Sequence, residues 1–513
     1  MGEYKTPGVY IKEKNAFGNS VVEAETAIPA FIGFTQKAVN GDKSLLNQPW
    51  KITSMTEFTT YFGGAPLADF KLSLDGNTQL AVAEPTVPFT LYYQMVMFFA
   101  NGGSTCYIVS VGDYTSATPI SSDQVKTALT ALEKEPEVTM IVVPEAVYSP
   151  NYANILTDVL QHCGNTMKNR IAIFDIQPKK DKDETIEQQI ESFRNAVGSN
   201  YMSFGAAYYP WLNASVLSEN DVNPSSVTLW DYTQDAPDLS PFFDAKSKMP
   251  GFFKEAFAEI KNAKKKVTVT ETDADGNPQT NESEVPMTEE ELAACKNNLH
   301  NALLQNWPAY KSAIKQIKDK LNLLPPSASM AGIYTAVDNN RGVWKAPANV
   351  TVSYVTSPTE VINDYIQEDL NVPMNGKAVN AIRSFPGEGI KVWGARTLDG
   401  NSQDWRYINV RRTMLFLEVS VKNAARAYVF EPNDAGTWIN MKCMIENFLR
   451  SVWKRGGLAG ATPEEAFEVH VGLGDTMTGD DILEGILRIT VLVAISRPAE
   501  FIEITFQQQM QKS

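Results

Sequence analysis

The stretch from residue 27 to residue 211 alternates continuous apolar runs with segments of helical pattern, and no other feature constrains the fold as strongly. The apolar runs lie at residues 107–111, 138–144, 170–175 and 204–209, and the helical patterns lie at 124–133, 152–162 and 190–197. A continuous apolar run is typical of a strand that is buried on both faces. Strands that alternate with helices of about 10 to 15 residues predict right-handed βαβ units. We therefore expect an α/β layer with a largely parallel sheet in this region.

Strand patterns also occur close to both ends of the chain. Within residues 501–506, Ile502, Ile504 and Phe506 occupy one face of a predicted strand, and a second strand pattern covers residues 8–13. A strand near a chain end has at least one free edge, which invites pairing with another chain. We expect both segments to add strands to copies of the same chain. The predicted inter-subunit strand residues are Val9, Tyr10, Ile11, Phe501, Ile502, Ile504 and Phe506.

The composition is that of a folded, acidic protein with several domains. A length of 513 residues exceeds one hydrophobic core and predicts about three domains at roughly 150 residues each. Hydrophobic residues make up 43% of the chain, as expected for a folded protein, and the net charge of −15 argues against a nucleic-acid partner. The sequence contains neither a basic-then-apolar leader nor a run of about 18 apolar residues. We expect synthesis in the cytoplasm and no direct membrane insertion.

The residue types that carry catalysis are few and scattered. His162, His300 and His470 have no metal-ligand neighbour at helical or loop spacing, and the four cysteines form no Cys-x-x-Cys pair. Neither a phosphate-binding glycine loop nor a nucleophile elbow occurs. The acidic stretch at 273–277 has its glycine at the wrong position for a calcium loop and fits a hairpin turn better. We predict no catalytic residue, no cofactor and no metal site.

A change in composition marks residues 213–324, which are richer in Pro, Asp, Ser and Lys. The segment contains a hairpin pattern with strands at 267–270 and 279–285, followed by two helical patterns. Residues 288–291, Thr-Glu-Glu-Glu, match a capping box at the start of the first helix. We interpret the segment as an inserted, surface-facing lobe and expect the rest of the chain to fold without it.

The last third of the chain has its own order of predicted elements. The patterns predict helices at 413–422 and 434–455 and strands at 428–430, 467–472, 486–496 and 500–506. In the second helix, an apolar stripe comprises Trp438, Met441, Ile445, Phe448, Leu449 and Val452. Another face carries Lys442, Glu446, Arg450 and Lys454 at intervals of four, with Arg455 near the end. This mostly basic ridge is either an ordinary solvated face or a docking surface for an acidic partner.

Several motifs closely resemble contractile tail sheath proteins of myophages and related injection systems. The most specific of these motifs lie in the C-terminal part, at FPGEGIKVWGARTL (385–398), WRYINVRR (405–412), VFEPN (429–433), TPEEAF (462–467) and PAEF (498–501). Further motifs upstream are PGVY (7–10), FFANGG (98–103) and RGVWKAPAN (341–349). Together they cover most of the chain outside 213–324, where members of the family differ.

The resemblance implies an α+β and α/β multidomain fold in which N- and C-terminal parts form one sheath core domain. The implied division has five parts: a linking strand and tether (1–25), an inserted α/β domain (26–212), a variable surface insertion (213–324), a return segment of the inserted domain (325–355) and the C-terminal sheath core domain with its terminal linking strand (356–513). In the family, terminal strands join the core sheets of neighbouring subunits. A helix of the core domain faces the inner tube, which makes Lys442, Arg450, Lys454 and Arg455 the tube-facing candidates.

The function implied by the resemblance is structural. The chain is expected to polymerise as stacked sixfold rings around an inner tube protein and to contract, which drives the tube through a target envelope. The expected partners are the chain itself in a helical lattice, the inner tube protein, and baseplate and terminal cap proteins, with no nucleic acid. Assembly is expected in the cytoplasm, and the product is part of a phage tail or a released extracellular injection particle.

One alternative of a different class stays open on the sequence alone. An α/β enzyme or small-ligand-binding module would use a crevice at the strand ends of region 27–211. The usual fingerprints of such sites are missing from the sequence. The sequence does not distinguish a phage tail from an extracellular or membrane-anchored injection system. It also leaves open the target cell and cargo, the role of 213–324, sheath paralogues in the particle, and whether the sheath is extended or contracted.

Overall fold

The computed structural model describes residues 21–75, 79–181, 183–272 and 278–505. These residues divide into two compact units. The smaller unit consists of three separate stretches of the chain, 21–26, 338–346 and 409–505. The larger unit consists of the described residues within 27–337 and 347–408.

The elements are numbered in chain order. The strands are β1 Pro29–Gly33, β2 Val39–Asn40, β3 Lys43–Ser44, β4 Trp50–Ile52, β5 Ala68–Asp69, β6 Lys71–Asp75, β7 Gln79–Ala83, β8 Cys106–Ser110, β9 Met140–Val142, β10 Ile171–Asp175, β11 Gly205–Tyr209, β12 Leu212–Ala214, β13 Val227–Thr228, β14 Lys264–Thr272, β15 Pro278–Pro286, β16 Leu323–Leu324, β17 Val350–Thr351, β18 Val355–Pro358, β19 Asn380–Phe385, β20 Gly389–Trp393, β21 Phe467–His470 and β22 Thr490–Val493. The α-helices are α1 Met55–Phe62, α2 Leu91–Ala100, α3 Ser122–Leu132, α4 Tyr152–Gln161, α5 Ile186–Ala196, α6 Met249–Asn262, α7 Glu289–Asn306, α8 Pro308–Leu321, α9 Ser327–Arg341, α10 Asp364–Asn371, α11 Ile408–Ala425, α12 Ala435–Lys454, α13 Pro463–Ala466 and α14 Gly479–Leu483.

The larger unit is built on a nine-stranded sheet in the order β17-β20-β19-β11-β10-β9-β1-β8-β4. The six strands from β19 to β8 run parallel to their neighbours. Antiparallel strands flank them, with β4 beside β8 and with β20 and β17 beyond β19. The four predicted apolar runs form β8, β9, β10 and β11, and every residue of these strands is buried. The predicted, largely parallel α/β sheet is confirmed.

Strands β19 and β20 join this sheet from a distant part of the chain. Tyr208 and Tyr209 of β11 pair in parallel with Asn380 and Ala381 of β19. Residues 356–408 were predicted to belong to the C-terminal domain, but in the structure they belong to the larger unit. The reason is this non-local pairing, which periodicity within one stretch of sequence does not reveal.

The lobe within residues 213–324 has a hydrophobic core of its own. The predicted hairpin is formed by β14 and β15, which pair antiparallel from Lys264↔Pro286 to Thr272↔Pro278, and its turn at 273–277 lies outside the described residues. The capping box at 288–291 is also confirmed at the start of α7. The lobe core also includes Phe70, which lies between β5 and β6, and Leu72 of β6; the sequence pattern did not predict this contribution. Removal of 213–324 alone would therefore leave these two side chains without their packing partners.

The smaller unit packs α11, α12, β21 and β22 around one core. Strand β22 is shorter than predicted, but Ile489, Val491, Val493 and Ile495 still alternate toward this core. The predicted strand at 428–430 is wrong, because Arg426–Tyr428 forms a 3₁₀ turn and Phe430 has a φ of 72°. That backbone conformation is incompatible with a continuing strand.

We predict that two adjacent phenylalanines of α6 differ sharply in their contribution to stability. Phe253 is 0% exposed and its ring lies 5.4 Å from that of Trp230, whereas Phe252 is 42% exposed. Phe253→Ala should lower the free energy of unfolding by about 3–5 kcal/mol because it leaves a cavity, and calorimetry would measure the loss. Phe252→Ala is the matched control and should change stability little. Equal effects of the two substitutions would contradict the assigned lobe core.

Candidate functional site

Helix α12 carries the mostly basic ridge that the sequence predicted. Asp434 caps its N-terminus by accepting a hydrogen bond from the Thr437 amide at 3.0 Å. Its C-terminus is closed by Arg455 and by Gly456, whose φ of 86° is a conformation that favours glycine. The buried face carries Met441, Met444, Ile445, Phe448, Leu449 and Val452. The predicted apolar stripe is therefore confirmed except at Trp438, which is half-buried.

The basic ridge of α12 is narrower than its sequence indicates. Lys442 faces Glu446 at 3.9 Å, so part of its charge is balanced within the helix. Arg450 and Lys454 are exposed and have no ion pair within the part of the chain that the structure describes. Arg455 instead forms a bidentate ion pair with Glu23. Two unpaired cations, Arg450 and Lys454, thus dominate the outward charge of this face.

The two-stranded sheet formed by β21 and β22 lies beside α12 in the smaller unit. Phe467 pairs with Val493 and His470 with Thr490, in an antiparallel register. Neither strand pairs with a third strand among the described residues. Along such edges, backbone N–H and C=O groups can pair with another strand, although just beyond β22 the Ala494 carbonyl already accepts a hydrogen bond from the Ala459 amide at 2.7 Å.

Residues 501–505 form neither helix nor strand in the single chain. Phe501, Ile502 and Ile504 are 74%, 78% and 70% exposed. Exposed aliphatic and aromatic side chains in succession mark a contact surface more often than a solvated tail. Val9, Tyr10, Ile11 and Phe506 lie outside the described residues, so the inter-subunit strands stay a prediction.

The histidines occupy separate sites, and each has its own partners. Burial, with the positive charge of Arg170, lowers the pKa of His162 to about 4, and His300 Nδ1 lies 2.8 Å from Tyr310 Oη in the lobe core. His470 lies between Glu468 and Asp475 on the surface. Among the described residues, no three His, Cys, Asp or Glu side chains are grouped so that they could hold a metal ion. Helices in the described part of the chain are too short or too polar to span a bilayer.

Two buried carboxylates lie at the strand ends where an α/β enzyme would place its site. Glu145 follows β9 and accepts hydrogen bonds from the amides of Phe34, Thr90 and Leu91 at 2.8, 2.8 and 3.1 Å. The last two amides belong to the N-terminus of α2. Burial raises the pKa of Glu145 to about 7, although the three N–H donors act in the opposite direction. Its oxygens are occupied by the backbone, so the carboxylate anchors a helix.

Asp175 plays the same part at the end of β10. Its carboxylate accepts hydrogen bonds from the amide of Ser327, at 2.7 Å, and from the hydroxyl of the same residue, which begins α9. Burial raises the pKa of Asp175 to about 7. Both carboxylates are almost completely buried. At these two strand ends, the buried carboxylates hold helices α2 and α9 to the sheet.

We predict a pH-dependent contribution of Asp175 to stability. The folded-state pKa of about 7 exceeds the ordinary value of 3.8, so the folded chain binds the proton more tightly. The stabilisation is then complete below about pH 4 and is lost as the pH rises through 7. The difference in unfolding free energy between wild type and Asp175→Asn should fall by on the order of 2–4 kcal/mol from pH 4 to pH 8.

Chemical denaturation at each pH measures that difference. Asp123→Asn, at an exposed aspartate of α3, is the control and should show no comparable trend. A difference between wild type and Asp175→Asn that stays constant across this range would contradict the raised pKa of the buried Asp175 side chain.

The comparisons with known proteins agree on one family. Residues 401–509 match the family described as the phage tail sheath C-terminal domain. The chain is 24% identical to the tail sheath protein of Vibrio phage KVP40 over 149 residues. This matched stretch makes up 29% of this chain and 22% of that relative. The match thus spans less than a quarter of the length of this curated relative.

Solved structures extend the similarity to nearly the whole chain. The sheath complex of an extracellular contractile injection system, PVC, in its contracted state matches with 27% identity and a TM-score of 0.58, and the match covers 99% of both chains. The helical sheath of the anti-feeding prophage in its contracted state matches with 26% identity and a TM-score of 0.57, over 99% of this chain and 100% of that one. The predicted resemblance to contractile tail sheath proteins and the predicted fold class are confirmed.

Proposed function

We propose that this chain is a structural subunit of a contractile sheath, which polymerises as stacked sixfold rings around an inner tube and contracts to drive that tube through a target envelope. The observation that carries the proposal is the similarity, along 99% of the chain, to sheath proteins of contracted assemblies. The proposed partners are further copies of the chain, the inner tube protein, and baseplate and terminal cap proteins. A related protein of the anti-feeding prophage occurs in a baseplate structure, which supports the baseplate contact.

The proposed role requires no catalysis. The polar groups buried at the sheet ends hold helices in place, and the described residues contain no metal-binding group. We propose assembly in the cytoplasm and action as part of a phage tail or a released injection particle. The sheath would store and release energy through contacts between copies, without turnover of a substrate.

Strand exchange is the proposed link between copies. The segments with Val9, Tyr10 and Ile11 and with residues 501–506 would add to the β21–β22 sheet of neighbours, which has unpaired edges in the described chain. Two added strands contribute on the order of ten backbone hydrogen bonds at about 1 kcal/mol net each. Each buried aliphatic side chain adds roughly 1.5–3 kcal/mol before the entropy of ordering is subtracted. Such links can persist while weaker contacts rearrange.

The proposed contact with the tube is electrostatic and weak. The candidates on α12 are Lys442, Arg450, Lys454 and Arg455, of which Arg450 and Lys454 carry charge that no described acidic group balances. An exposed ion pair contributes about 0–1 kcal/mol. A subunit held to the tube by a few such pairs can leave it during contraction, whereas the strand links between subunits remain.

We predict that charges on one face of the terminal segment abolish polymerisation without unfolding the subunit. Ile502→Asp with Ile504→Asp should leave the melting temperature unchanged, because both side chains are exposed in the single chain, yet negative-stain microscopy should show no cylinders. Glu503→Lys with Thr505→Lys alters the opposite face of the predicted strand and serves as the control. Cylinders of normal length from the isoleucine variant would count against strand exchange through this segment.

We predict that reversing the unpaired charges of α12 weakens assembly around the tube and spares tube-free polymers. Arg450→Glu with Lys454→Glu removes the two exposed cations, and co-sedimentation with the tube protein measures the loss. Lys254→Glu with Lys311→Glu makes the same change of charge on exposed lobe positions and should have no such effect. If both types of polymer respond equally to the α12 variant, the ridge does not face the tube.

A further inference from the structure

Residues 21–26 are fastened to the core of the smaller unit at several points. The amide of Ala24 donates to Ser420 Oγ at 2.9 Å, and the carbonyl of Thr26 accepts from Arg412 Nη2 at 2.9 Å. Val21 and Ala24 pack against the hydrophobic core. The segment that follows the predicted N-terminal linking strand is thus held to the smaller unit from residue 21 to residue 26.

Arg455 holds the outer side of this segment. Its guanidinium forms the bidentate pair with Glu23, in which Nη1 lies 3.1 Å from Oε2. The same guanidinium lies over the ring of Trp344, 5.2 Å from the ring centre. A cation above an aromatic face is attracted by the ring quadrupole. Trp344 therefore supports the arginine that fixes the N-terminal segment.

The C-terminal segment is held at Ser496, five residues before Phe501. Its amide donates to the carbonyl of Gly457 at 3.4 Å, and its hydroxyl donates to the carbonyl of Gly456 at 3.0 Å. Its own carbonyl accepts a hydrogen bond from Asn409 Nδ2 at 3.0 Å. The same Nδ2 donates to the carbonyl of Trp344 at 2.8 Å.

Trp344 also contacts the turn that receives Ser496. A Cβ atom added to Gly457 would lie 2.6 Å from Val452 Cγ1 and 2.9 Å from Cε3 of the indole, so the glycine backbone packs closely against both side chains. The Trp344 ring, together with Val452, therefore positions the Gly457 carbonyl that accepts from the Ser496 amide. Trp344 is therefore linked to the N-terminal segment through Arg455, and to the C-terminal segment through Gly457 and Asn409.

We propose that Trp344 is the shared anchor of both linking segments, so that displacement of one segment is transmitted to the other. The inference rests on the proposed function, in which the segments with Val9, Tyr10 and Ile11 and with residues 501–506 link copies of the chain. From Ser496 to Phe501 the extended chain spans at most about 18 Å, so the anchor also limits where a neighbouring acceptor sheet can lie. A subunit whose two links share one anchor passes a pull from one neighbour to the next through its smaller unit.

Hydrogen exchange with mass spectrometry on the unassembled full-length chain tests the coupling. Arg455→Gln removes both the ion pair and the cation above Trp344, and it should accelerate exchange about fivefold in peptides covering 21–26 and also in peptides covering Ser496, as expected for a loss of about 1 kcal/mol. Glu23→Gln removes only the ion pair and should accelerate the 21–26 peptides alone. Lys454→Gln, one residue away and without a partner among the described residues, should change neither.

The pattern across the variants decides the proposal. If Arg455→Gln and Glu23→Gln give the same exchange pattern, or if the Ser496 peptide is unchanged in Arg455→Gln, the shared anchor is overturned. Trp344→Leu should accelerate both peptides, and Trp344→Phe, which retains an aromatic face, should accelerate them less; equal behaviour of these two variants would also overturn it. Exchange in 441–449, from the core of α12, confirms that each variant stays folded.

Polymerisation is scored separately on the same wild-type protein by negative-stain microscopy. A wild-type chain that forms no cylinders with tube and baseplate would count against the proposed sheath function, whereas the exchange result would stand. Conversely, normal cylinders together with uncoupled exchange would remove the shared anchor and leave the sheath function intact.

Discussion

The smaller unit depends on one buried guanidinium. Arg412 donates to both carboxylate oxygens of Asp338, at 2.8 and 2.5 Å, and to the carbonyl of Thr26 at 2.9 Å. These three residues come from the three separate stretches that make up the unit. Both charged side chains are almost completely buried, and removal of one partner from such a pair costs about 3–5 kcal/mol because the other charge is left unpaired. The interaction specifies how distant parts of the chain meet.

The larger unit has a closely packed interior, whereas the smaller unit has strand edges that can pair with other chains. The larger unit is built on a sheet whose central strands are fully buried and whose helices α2 and α9 are anchored by Glu145 and Asp175. Close-packed interiors of this kind resist gradual deformation. The smaller unit presents unpaired strand edges and a short cationic ridge. In the proposed sheath, motion then occurs between subunits, along contacts that differ in strength by an order of magnitude.

Polar side chains that would attract attention in an enzyme have structural partners here. The oxygens of Glu145 and Asp175 accept from backbone amides and from one serine, and His162 lies against Arg170 in the protein interior. A buried polar group without partners costs free energy, so its satisfaction is a requirement of folding as well as a clue to function. The cluster around Trp344 differs, because it connects segments that the proposed function places under load.

The sequence by itself determined the features that arise from local periodicity. The buried strands of the parallel sheet, the β14–β15 hairpin, the capping box of α7 and the apolar stripe of α12 were predictable because the residues that specify each lie within a short stretch. Only the tertiary structure decided what depends on distant partners. Strands β19 and β20 lie in the large sheet, and Phe70 lies in the lobe core. Arg455 pairs with Glu23 and so does not add its charge to the ridge. Residues 501–505 form no strand in the single chain. The physical reason is that a strand edge, a buried ion pair or a cation above a ring requires two groups in contact, and sequence periodicity describes only one of them.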